Sequence, residues 1–146
     1  MINEIALDKA LRELEKTDKK YYMVLYLYVR YPFMPISQMV KITKENVLRN
    51  IMLQRKGYII PIPFDIKKKL DKYIVSIKGK YLFSEDRKEP IKPCKVYKRL
   101  KEIEKEFEIH KLSIKEDRVQ YAMDKSIESF QVFFNARSKD KVIELF

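Results

Sequence analysis

The chain has 146 residues, 46% hydrophobic and 36% charged, with a net charge of +11. That length suits one domain, or a small domain with an appendage, and it allows a real buried core. A single cysteine, Cys94, leaves no internal disulfide, no apolar run approaches the roughly 20 residues of a membrane span, and Glu4 and Asp8 interrupt any basic-then-apolar leader, so a reduced cytoplasmic protein off the membrane is expected.

The positive charge is concentrated. Residues 44–80 hold ten Lys/Arg against three Asp/Glu, a net of +7, whereas residues 1–43 and 81–146 carry +2 each. A concentrated basic stretch is the electrostatic footprint of a polyanion binder.

In chain order, residues 3–16 read as a first helix, with Asn3 as cap and Ile5, Leu7, Ala10, Leu11 and Leu14 on one apolar face. Thr17-Asp18 breaks it, and a helix over about 18–31, apolar on most sides, is expected to be the buried central element. Pro32 and Pro35 end that helix. A short helical run follows at 36–41, then a turn at Ile42-Thr43. Thr43 caps a predicted helix from Lys44 to Lys56, and Gly57 stops it as a C′ glycine. Tyr58 to Pro63 reads as an edge strand, residues 64–72 as a polar, basic loop, and Tyr73 to Ile77 as a second strand. Residues 78–83 fit strand or helix equally. The segment 84–93, with Pro90 and Pro93, reads as a linker. Residues 95–112 form a charged helix and 117–134 a second apolar-faced segment, of which 130–134 could instead be a strand; the tail from 140 is a short helix or strand.

Three helices followed by two strands and an intervening loop is the order of a winged helix-turn-helix. On the run Ile36–Lys41, the turn at Ile42-Thr43, the Arg55-Lys56-Gly57-Tyr58-Ile59 helix ending and the strand Tyr73–Ile77, residues 18–83 resemble the DNA-binding domains of MarR-, PadR- and ArsR-like transcription regulators. Two positions depart from the family: Asn50 stands where an aliphatic residue is usual, and three lysines replace an Asp-Arg wing. The resemblance implies a mainly α fold with a small β-hairpin wing (α+β), divided as a winged-helix domain over 1–84, a linker over 85–94 and a helical extension over 95–146. It also implies a homodimeric regulator that binds double-stranded DNA.

Physical reasoning supplies the candidate contacts. On helix 44–56, Val47, Leu48, Ile51 and Met52 share one side, with Asn46, Arg49, Asn50 and Lys56 on the other. Arg and Asn pair with guanine and adenine edges, and a helix fits the major groove. Ser37, Gln38 and Lys44 are placed to meet phosphate, and Lys67, Lys68, Lys69 and Lys72 to touch the backbone from the wing, which supplies affinity without sequence choice. In the helix 95–112, Val96, Leu100, Ile103, Phe107 and His110 follow coiled-coil spacing and form a candidate dimer seam; packing on the same subunit is the alternative. Winged helices also dock proteins, so an interaction module in a replication or viral assembly complex is the competing function.

Catalytic patterns are lacking. One His and one Cys cannot form a usual zinc site, glycines at 57 and 79 alone make no phosphate loop, and Glu102, Glu104, Glu106 and Glu108 point in different directions on a helix. No enzyme activity, metal or cofactor is expected.

Overall fold

The structure, a computed structural model, describes residues 1–55 and 58–133. Among them the fold is mainly helical, with seven helices and one two-stranded antiparallel hairpin, an α+β arrangement. The chain groups into two units: residues 1–35 with 94–146, and residues 36–93. The sequence reading divides it instead at 84 and 95.

In the first unit, helix α1 (Glu4–Thr17) starts at Asn3, whose side chain accepts from the Ala6 N–H at 3.2 Å. It buries Leu7, Ala10 and Leu14, while Ile5 stays 81% exposed. Asp18 closes this helix and opens the next. Its N–H donates to Leu14 O at 2.7 Å, and its carboxylate accepts from Tyr21 N at 3.3 Å. Helix α2 (Lys19–Arg30) buries all ten residues from Tyr21 to Arg30, so it is the central element that its all-round apolar sequence predicts.

Helices α6 (Pro93–Glu106) and α7 (Lys115–Phe133) complete this unit, with α2 packed on both α1 and α7. The predicted helix 95–112 therefore ends six residues early. Glu108, His110 and Lys111 take left-handed backbone angles, turning the chain so that Ile109 and Leu112 enter the core. Residues 130–133 continue α7, so the strand alternative there is set aside; Phe134 and the tail from 140 lie outside the described residues.

The second unit departs more from expectation. Helices α3 (Ile36–Met39) and α4 (Lys44–Leu48) flank a turn, as the sequence suggests. Yet α4 stops after five residues. Asn50 adopts φ +59°, and the chain enters strand β1 (Ile51–Arg55), paired antiparallel with β2 (Tyr58–Pro61) around an irregularity between Ile51 and Leu53. The predicted helix 44–56 is thus corrected to a short helix plus a strand. Two apolar runs on either side of Arg55-Lys56-Gly57 are a hairpin pattern, and asparagine is among the few non-glycine residues that tolerate left-handed angles.

The predicted basic loop 64–72 and strand 73–77 are corrected together. Residues Phe64–Ile74 form helix α5, which buries Ile66, Leu70 and Tyr73 at helical spacing. Beyond it, Tyr81 bridges Thr43, Lys44 N donates to Lys80 O at 3.0 Å and Leu82 N to Ile42 O at 3.1 Å, which fastens this segment beside the start of α4. Tyr73 OH donates to Leu82 O at 2.9 Å. Gly79 is required by a close approach, because a Cβ there would lie 2.7 Å from Arg87 O.

Candidate nucleic-acid interface

The unit 36–93 holds fourteen Lys/Arg and six Asp/Glu, a net of +8, leaving +3 for the rest of the chain. Phosphate is recognised first by cation density, so the cations that the fold leaves to solvent matter most.

Several predicted contacts are already engaged. The Asn46 side chain accepts from Thr43 N at 3.0 Å and from its hydroxyl at 2.9 Å, while Asn46 N donates to Thr43 Oγ1 at 3.1 Å, so it completes the capping box that starts α4. The Lys44 ammonium donates to Ile77 O and is half-buried. Lys67 donates to Val47 O at 2.7 Å and pairs with Asp71 at 2.6 Å, with its side chain 24% exposed. Asn46, Lys44 and Lys67, read from the sequence as base or phosphate contacts, therefore also hold the unit together. Their proximity to backbone carbonyls and a cap cannot be seen in the periodicity of the sequence.

The others face solvent to different degrees. Ser37 is exposed and Gln38 half-buried on α3. Arg49 caps the end of α4 with its side chain 67% exposed, at 3.8 Å from Glu45. Asn50 is exposed beside it, as are Lys68, Lys69 and Lys72 on α5, the helix whose buried face is Ile66, Leu70 and Tyr73. Lys56 lies outside the described residues.

Lys67 on α5 reaches Val47 O, the carbonyl just before Leu48, so the two helices are joined near the end of α4. The same two helices and their ends carry the exposed Arg49, Lys68 and Lys72 and two apolar side chains whose exposure the sequence reading misses, Leu48 and Phe64, 69% and 62% exposed. Periodicity puts Leu48 on the apolar side of a longer helix. It leaves Phe64 in a loop, although Phe64 and Lys68 are four apart, as residues on one helix face are.

The candidate dimer seam is largely consumed within one chain. Val96, Leu100 and Ile103 are 0–3% exposed and Phe107 is half-buried, while His110 lies off the helix at a left-handed angle. A second copy could reach the first three only by opening the core.

Among the described residues no group of three or more His, Cys, Asp or Glu could hold a metal ion, and no helix is long and apolar enough to cross a membrane. In the unit 36–93, Asp86 has a clearly displaced pKa. The backbone N–H groups of Glu89 and Lys88 hold its carboxyl below the usual range, and both lie 2.9 Å from it, which orders the loop. Comparison with protein-family models, with curated proteins and with solved structures finds no match for this chain.

Proposed function

We propose that the unit 36–93 binds double-stranded DNA through the joined surface of α4 and α5, with Arg49, Lys68 and Lys72 on the phosphates. The observation that carries this reading is the net +8 of that unit, together with exposure of those three cations on neighbouring helices. The order α3, turn, α4 supports extending the proposal to a transcription regulator of helix-turn-helix descent. In that extension α5 takes the place of a wing, and a homodimer pairs through a surface other than the buried Val96–Ile103 stripe. With Asn46 committed to a cap, base reading falls to Arg49 and Asn50, and most of the affinity is electrostatic.

The test is fluorescence anisotropy with a labelled duplex at several salt concentrations. Removing one lysine from a phosphate lowers the log–log salt slope by about 0.9. The double substitution Lys68→Glu with Lys72→Glu, on the outer face of α5, should flatten the slope by about 2 and weaken binding at least about 10-fold at low salt. Unchanged far-UV circular dichroism accompanies that result. An unaltered slope for the folded variant rejects the proposal.

A further inference from the structure

We infer that Leu48 and Phe64 form an apolar wedge that contacts unstacked bases, so that the protein prefers DNA with a local break in stacking over uniform duplex. The inference rests on the DNA-binding reading and adds the form of DNA selected. Its basis is a mismatch between exposure and chemistry. Leu48 is 69% and Phe64 62% exposed, yet Leu48 directly precedes the exposed Arg49 and Phe64 stands one helical turn before the exposed Lys68, on two helices joined by the Lys67–Val47 hydrogen bond. Cations that hold phosphates bring the sugars and base edges of the same strand close to the side chains that neighbour them. Here those are a phenyl ring and an isobutyl group. Apolar side chains in such settings enter base steps and unstack them, and aromatic rings stack on bases already splayed apart.

Two other occupants fit less well. The large apolar face of α5, Ile66, Leu70 and Tyr73, is turned into the core, so a lipid surface would gain only one ring and one leucine, too little for stable anchoring. Protein interfaces are depleted in lysine at their centres, whereas this surface is rich in it.

The experiment uses the full chain with two labelled probes, a uniform 20-base-pair duplex and the same duplex carrying a three-base mismatch bubble with 2-aminopurine in it. The wild type should bind the bubble about 10-fold more tightly, the size expected for one stacked base, and 2-aminopurine emission should change on binding. Phe64→Ala combined with Leu48→Ala should bring the two affinities within about 2-fold, by weakening bubble binding far more than duplex binding. Phe64→Trp should keep the preference. The pair K68E and K72E should weaken both probes and leave their ratio. A wild-type ratio near one, with duplex binding intact, overturns the inference alone. Absence of binding to either probe overturns the DNA reading and the inference with it. Phe64-dependent capture on anionic phosphatidylserine vesicles, without a bubble preference, overturns it in favour of a membrane surface.

Discussion

Lys67 and Lys68 are neighbours in sequence with opposite duties. Lys67 donates to Val47 O and to Asp71, whereas Lys68 faces solvent. Replacing Lys67 with Met should lower stability by about 1–2 kcal/mol, as expected for loss of a charged hydrogen bond to a carbonyl, in urea titration. The same variant should change the salt slope of DNA binding less than Lys68→Met does. An equal effect on the slope would return Lys67 to the phosphate contacts. At this scale the sequence shows which residues are cationic but not which ones the backbone has claimed. A lysine that meets a carbonyl twenty residues away leaves no trace in spacing, and neither does an asparagine that closes a cap. Buried Arg118 is a similar case. It donates to Tyr28 OH, ninety residues away, at 2.8 Å and to Leu112 O at 2.9 Å, and no motif announces it.

The main disagreement at the scale of elements turns on Asn50. A helix from 44 to 56 satisfies the spacing of Val47, Leu48, Ile51 and Met52, but the same letters also satisfy a hairpin. The left-handed angle at Asn50 decides between them by ending α4 and redirecting the chain into β1. Asn50→Val should therefore cost about 1–2 kcal/mol, because a β-branched side chain resists that angle, while Asn50→Gly should be nearly neutral. Thermal melts of the two variants check this; equal stability would mean that the angle is not what terminates the helix. Helix α5 escapes the sequence reading for a related reason. Its cations draw attention away from Ile66, Leu70 and Tyr73, whose spacing already fits a helix. By contrast α1, α2, α6 and α7 are legible, since long periodic faces and clear caps leave little room for a competing structure.

For the whole molecule, the tyrosines of the first unit set a limit on alkaline stability. Burial pushes the Tyr22, Tyr28 and Tyr121 hydroxyls up, Tyr22 with added repulsion from Glu15 and Tyr121 to about 12. A pKa raised in the folded state means that the native protein holds its proton more tightly than the unfolded chain does. The contribution is then complete below the unfolded value near pH 10 and is lost as pH rises through the folded value, at about 1.4 kcal/mol per pH unit for each group. Stability should hold to about pH 10 and fall towards 12, and Tyr121→Phe should make the fall shallower; tyrosinate absorbance and circular dichroism followed together test this. A fall of equal steepness in that variant would remove Tyr121 from the account. The unit 36–93 is inserted between two stretches that together form the other unit. That order has a consequence on the ribosome. Helix α2 emerges early with ten side chains destined for the interior, but α7, which packs on it, follows about 85 residues later, a delay of roughly 4–17 s at ordinary elongation rates. During that interval the nascent chain carries a sticky, half-clothed segment while the intervening module is already finished, and chaperones on the emerging polypeptide have their natural target there.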